Sequence, residues 1–132
     1  MIEFKEVLDD GAVAVVADMA QRIWTEHFTP IIGAPQVAYM LREFQSVAAL
    51  KSYLAQDYKY YISYIDGVPA GYIGVLAKPG DSALFLSKIY LLAEYRGKGA
   101  GRQMMAFVED LARNGGLKKI FLNTNKKNLG TI

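Results

Sequence analysis

The stretch Arg96-Gly97-Lys98-Gly99-Ala100-Gly101-Arg102 decides the fold. An apolar run, Leu84-Phe85-Leu86-Ser87-Lys88-Ile89-Tyr90-Leu91-Leu92, leads into it, and an amphipathic segment, Met104-Met105-Ala106-Phe107-Val108-Glu109-Asp110-Leu111-Ala112, follows. The order reads strand, basic glycine turn, helix. A helix start carries backbone N–H groups without intrahelical acceptors and the positive end of the macrodipole. Glycines let such groups approach a ligand with no Cβ in the way, and Arg96, Lys98 and Arg102 add fixed positive charge. Together these suit a phosphate, and best a pyrophosphate.

Downstream, Asn114-Gly115-Gly116 stops the helix, and Lys118 to Asn123 forms a strand with Ile120 and Leu122 on one face. This βαβ unit predicts that strands 84–92 and 117–123 lie side by side in parallel. Upstream, Tyr58, Tyr60, Ile62 and Tyr64 alternate with Lys59, Tyr61, Ser63 and Ile65, and Asp66-Gly67 turns the chain into a returning strand, 68–77. Lys78-Pro79-Gly80-Asp81 is a second turn. Residues 2–7 alternate as a half-buried strand does. Asp9-Asp10-Gly11 then starts a helix carrying Val13, Val16, Ala20, Ile23, Trp24 and His27, which Pro30 is expected to end. Ile31-Ile32-Gly33-Ala34 reads as a loop, and Pro35 suits the first turn of a helix with Val37, Met40, Leu41 and Phe44 as its buried stripe. Ser46 caps a third helix bearing Val47, Leu50 and Leu54. The expected architecture is α+β: one domain over residues 1–132, with a mixed, mostly antiparallel sheet flanked by helices.

Composition narrows the chemistry. The absence of cysteine removes disulfides, thiolate metal sites and cysteine nucleophiles, and a single histidine removes a histidine-rich metal site, so no metal is expected. No stretch is long and apolar enough to span a membrane, and Met1-Ile2-Glu3-Phe4-Lys5-Glu6 lacks a secretory pattern. A reducing cytoplasm is the expected location. The net charge of +2 hides an asymmetry. Residues 1–93 hold 7 Lys/Arg against 10 Asp/Glu, whereas residues 94–132 hold 8 against 3, so the positive excess gathers around the glycine turn. A solvated basic face is the plain explanation, and a small anionic ligand the better one. Nucleic acid is not expected, because no basic stripe is interleaved with exposed aromatics.

Arg96-x-x-Gly99-x-Gly101 after an apolar strand resembles the acetyl-CoA signature of GCN5-related N-acetyltransferases. The order of elements, the hairpin Asp66-Gly67-x-Pro69-x-Gly71-Tyr72 and the segment Leu122-Asn123-Thr124-Asn125-Lys126-Lys127-Asn128 agree with it. The resemblance implies that the backbone of Ile89, Tyr90 and Leu91 pairs with the pantetheine arm. It further implies that the amides of Arg96, Gly97, Lys98, Gly99, Ala100 and Gly101 hold the pyrophosphate beside Arg102, and that Asn128 contacts the cofactor arm. The parallel strands would splay around the thioester of acetyl-CoA, and a primary amine would attack it directly in a ternary complex. Members of the family usually continue into a helix with a tyrosine that protonates the departing thiolate, then two more strands. The chain is expected to be incomplete at its C-terminus, through truncation, proteolysis or a frame defect, or as a natural short form completed by a partner. An open C-terminal edge invites pairing with another copy, so a homo-oligomer is expected.

On the acceptor side, Trp24, His27 and Phe28 are candidate substrate-binding residues, and Glu26 and Tyr90 candidate catalytic groups. Each has a plainer explanation: His27 as a cap at a helix C-terminus, the tyrosines as cross-strand packing, Tyr90 as a core residue. Gly97-x-Gly99-x-Gly101 lacks the spacing of a dinucleotide fingerprint, and no Gly-Lys-Ser/Thr triplet exists. The alternative from another class is a non-catalytic CoA-binding or interaction module of the same fold.

Overall fold

The computed structural model describes residues 2–122. Five strands, β1 (Ile2–Glu6), β2 (Lys59–Ile65), β3 (Val68–Lys78), β4 (Ala83–Leu91) and β5 (Lys119–Leu122), form one sheet in sequential order. β1 to β4 pair antiparallel, and β4 and β5 pair parallel from Ala83↔Lys119 to Leu86↔Leu122. Helices α1 (Asp10–Ile23), α2 (Thr29–Ile32), α3 (Ala34–Met40) and α4 (Val47–Ala55) lie between β1 and β2 in the chain; α5 (Ala100–Asn114) connects β4 to β5.

The sheet is covered on both faces. One core joins Val13, Val16, Ile23, Trp24, Phe28, Leu50 and the sheet residues Tyr60, Ile62, Tyr72 and Tyr90. The other joins Met104, Val108 and Ala112 of α5 to Ile73, Val75, Leu84, Leu86, Ile89 and Leu91. The alternation of Tyr60 and Ile62 against Tyr61 and Ile65 predicted from sequence is observed, with both faces packed. Asp66 and Gly67 adopt φ of 51° and 81°, as a tight two-residue hairpin turn requires. Asp9 caps α1 by accepting from the Ala12 N–H at 2.8 Å, and Ser46 caps α4 by accepting from Ala49 at 3.2 Å.

Two irregularities correct the expected helices. The first helix does not end at Pro30. A π-helical turn over Trp24–Phe28 carries it into α2, where Pro30 sits in the first turn and needs no N–H; the chain leaves the helix only at Gly33, φ 89°. Ile31 and Ile32 are therefore helical rather than loop. A second π-helical turn, Leu41–Gln45, inserts a residue into the next helix and rotates its face, so Phe44 is exposed and Gln45 buried. Gln45 Oε1 there accepts a hydrogen bond from the Tyr72 hydroxyl at 3.0 Å, tying the helical layer to β3. Val47, expected in the stripe of α4, is also exposed, while Leu50 is buried.

A bulge in β4 sets the direction of its last side chains. Gly74 pairs with Lys88 and Val75 with Leu86, which leaves Ser87 as the extra residue. Leu84 and Leu86 face α5 before the bulge, and Ile89 and Leu91 face it afterwards, so Lys88 and Tyr90 are turned toward α1 and α4. Among the described residues, no helix is long and apolar enough to cross a membrane.

Candidate functional site: the turn between β4 and α5

The end of β4 is held by short-range bonds. The Leu92 N–H donates to Ala70 O at 2.8 Å, and a 3₁₀ turn over Ala93–Tyr95 comes next. The Arg96 N–H donates to Ala93 O at 3.2 Å, and Arg96 Nε reaches back to Leu91 O at 3.1 Å. Arg96 thus braces the turn from within, and its amide, expected among the pyrophosphate donors, is already bonded.

Beyond Arg96 the picture changes. Gly97 and Gly99 adopt φ of 79° and 83°, a region that disfavours side chains, and Gly99 is the cap residue of α5 with no side-chain cap bond. The first amide bonded within the helix is that of Gln103, to Gly99 O at 3.2 Å. The N–H groups of Gly97, Lys98, Gly99, Ala100, Gly101 and Arg102 have no acceptor among the described residues. A Cβ built on Gly97, Gly99 or Gly101 would meet nothing within 4 Å among the other described residues. A set of six unbonded donors suits an anion such as a diphosphate. Lys98 and Arg102 are exposed around it. The acid of the preceding turn, Glu94, is occupied: Arg22 of α1 donates to both of its oxygens at 3.0 Å. Its own backbone N–H and Arg22 hold its carboxyl below the usual range.

The remaining sequence-predicted residues fall into separate places. Ile89 and Leu91 direct their side chains to the α5 core. Tyr90 is 6% exposed, with its ring 5.3 Å from Tyr72 and 6.1 Å from Trp24, and burial pushes its hydroxyl up to about 12. Trp24 and Phe28 are interior, their ring centroids 4.2 Å apart, and line no open surface. The Trp24 N–H faces the Tyr72 hydroxyl without reaching hydrogen-bond geometry. His27 packs edge-on against Phe28 at 4.8 Å, with Nε2 buried and without a hydrogen-bond partner among the described residues. Glu26 is half exposed, 3.7 Å from Arg22, at an open cavity of about 420 Å³ shared with Asp18, Gln21 and Thr25. A larger cavity, about 540 Å³, lies at the opposite end of the sheet between Glu6, Asp9, Lys51 and Lys59, away from the glycine turn. Asn128 lies outside the described residues, and no cluster of metal-binding side chains occurs among those described.

A further group emerges on the α1 side of β4. Lys88 is buried, donates from Nζ to Tyr60 Oη at 2.5 Å, and sits 3.9 Å from the centroid of Tyr53. Desolvation pushes its ammonium down to about 7. Burial also raises the Tyr60 phenol far above its ordinary range. The signal available in the sequence was a lysine inside an apolar strand; its direction depended on the bulge at Ser87.

Comparison with known proteins gives the family and the fold. The sequence profile of the acetyltransferase (GNAT) family matches residues 17–132, and the chain belongs to that family. An uncharacterized N-acetyltransferase, YobR, of Bacillus subtilis (strain 168) is 40% identical over 47 residues, 36% of this chain. The match spans only 19% of that curated relative's length. The fold is that of PaiA N-acetyltransferase from Thermoplasma acidophilum, solved in complex with coenzyme A: TM-score 0.82 at 18% identity, over 98% of this chain and 84% of that one. A protein from Clostridium acetobutylicum described as a predicted acetyltransferase and solved with acetyl-CoA superposes with TM-score 0.66 at 14% identity, over 96% of this chain and 82% of that one.

Proposed function

We propose that this chain moves an acetyl group from acetyl-CoA to a primary amine in a ternary complex. The observation that carries the reading is the row of amides from Gly97 to Arg102, unbonded among the described residues, where β4 runs into α5. A helix start of this kind favours the diphosphate by both dipole and direct donors. Arg96 shapes the turn, and Lys98 and Arg102 contribute charge. In this reading the backbone of Ile89 to Leu91 would run beside the pantetheine arm, and Asn128 belongs to the same proposal. Acetyl-CoA, when bound, supplies an activated acyl carbon; the chain orients it and manages the acceptor's proton.

The alternative, a CoA-binding module without turnover, is favoured by the setting of the two candidate catalytic groups: Glu26 is exposed and ion-paired, and Tyr90 is buried. Calorimetry with acetyl-CoA, together with free-thiol release over a panel of amines, decides between them. Binding with thiol release supports transfer. Binding without release supports the module. No binding refutes both.

A further inference from the structure

The hydroxyl of Tyr60 reaches Lys88 because β3 makes room for it. Gly74 stands opposite Lys88, and a Cβ there would come within 2.9 Å of Tyr60 Cε2 and 3.0 Å of Cζ. The ring of Tyr60 therefore lies over Gly74, crossing from β2 to meet the amine on β4. The ring of Tyr53 of α4 lies against the Lys88 amine, with Tyr58 packed on Tyr53 at 5.0 Å. Tyr72 from β3 and Tyr90 on β4 complete the titratable surroundings. No carboxylate pairs with Lys88 among the described residues. A buried amine without an anionic partner is costly as a cation and comfortable as a neutral base. Its position in the chain is equally specific. Lys88 directly precedes Ile89, where the proposed cofactor strand begins, and the bulge turns it to the face opposite α5 and its cradle.

We infer that Lys88, oriented by Tyr60, is the group that takes up the proton the acceptor ammonium must lose before it can attack. This rests on the proposed reading of β4 as the acetyl-CoA strand. The acceptor gives one proton to Lys88 Nζ. Its nitrogen then forms a C–N bond to the acyl carbon as the C–S bond breaks. The second proton leaves with the sulfur, and Lys88 returns the first to solvent. The net reaction converts an ammonium and a thioester into an amide, a thiol and one released proton.

The test compares the wild-type chain with Lys88→Met and Lys88→Arg. Without any ligand, NMR of ¹³C-labelled lysine follows Lys88, identified by the resonance missing from the variants. The expected midpoint is about 7, and a midpoint above about 9.5, near that of an ordinary lysine, overturns the inference. Thiol release from acetyl-CoA is then measured with 1,4-diaminobutane, phenethylamine and glycinamide from about pH 5.5 to 9.5. The wild-type rate should rise through that same midpoint, and both variants should lose the pH limb and about a hundred- to ten-thousandfold in rate. Acetyl-CoA affinity should remain within about twofold, because only proton transfer is removed. A variant that keeps the wild-type rate and limb refutes Lys88 alone. Failure of acetyl-CoA to bind the wild-type chain refutes the cofactor reading, and the inference with it.

Discussion

Replacing Lys88 by methionine should stabilise the protein, and by an amount that depends on pH. In the unfolded chain the amine holds its proton up to lysine's ordinary 10.5; in the folded chain burial lowers this to about 7. Between those values the unfolded state binds more protons, so stability rises with pH. Below both, the folded protein carries the full burden of a buried ammonium. Each pKa unit is worth about 1.4 kcal/mol, so the burden is about 5 kcal/mol. Methionine has nearly the same length and no charge. It leaves the Tyr60 hydroxyl without its partner, which costs about 1–3 kcal/mol. The variant should therefore exceed wild type by about 2–4 kcal/mol at pH 6.

Urea unfolding at a series of pH values measures this directly, since the difference between two chains cancels every group they share. From pH 7 to 9.5 the advantage of Lys88→Met should shrink by about 3 kcal/mol as wild type loses its proton. A difference that stays flat across this range would mean the amine titrates alike in both states. A variant less stable than wild type at pH 6 would mean that the ring of Tyr53 and the phenol of Tyr60 hold the cation well enough to offset its burial.

Gly101→Ala should weaken acetyl-CoA binding at least about tenfold by calorimetry, while the urea midpoint holds or rises, because alanine is favoured over glycine in a helix by up to about 1 kcal/mol. Unchanged affinity would place the ligand elsewhere. Arg96→Ala removes the bond from Nε to Leu91 O; stability should fall by about 1 kcal/mol in urea, and acetyl-CoA affinity by a few-fold. If both are untouched, the turn does not depend on this brace. Gly74→Ala pushes a Cβ into the Tyr60 ring, so it should cost about 1–3 kcal/mol and broaden or shift the Lys88 resonance; a wild-type melting curve would mean that the ring moves aside freely.

Much of the fold was legible because the decisive signals are local. Alternation in β2, the turn at Asp66-Gly67 and the caps at Asp9 and Ser46 each require only neighbouring residues, and each is found where the chain places it. The glycine turn was legible for the same reason. What could not be read are insertions. A π-helical turn adds one residue without any distinctive side chain, so the periodicity beyond Leu41 is rotated and Phe44 and Gln45 exchange places. The bulge at Ser87 does the same to a strand. Alternation carried straight through would set Lys88 beside Leu84 and Leu86 against α5, whereas the bulge turns it to Tyr60 and Tyr53. Trp24 and Phe28 read as substrate-binding residues and Tyr90 as a catalytic candidate or a core residue, because aromatic side chains serve equally in sites and cores, and the packing of α1 on the sheet puts all three in the core.

Two glycines separate what the fold requires from what it leaves open. At Gly74 the requirement is internal: the Tyr60 ring fills the place of a side chain, and the phenol it carries is the hydrogen-bond partner of Lys88. An unadorned sheet would gain from a larger residue at Gly74 and an apolar one at Lys88, so the arrangement is expected to cost stability in two places. At Gly101 nothing in the described chain fills the vacant Cβ direction, and helical geometry would prefer alanine. Open room of this kind also surrounds Gly67 and Gly80, so what sets Gly101 apart is its place beside six unbonded amides at the start of a helix. The two positions flank the last part of β4, Gly74 paired with Lys88 beside the bulge and Gly101 in the first turn of α5 beyond the strand's end. Loss of binding at Gly101→Ala with stability intact, and loss of the pH limb at Lys88→Met with stability gained, would both run against the usual correlation of damage with unfolding. That is why these two substitutions test a site rather than a fold.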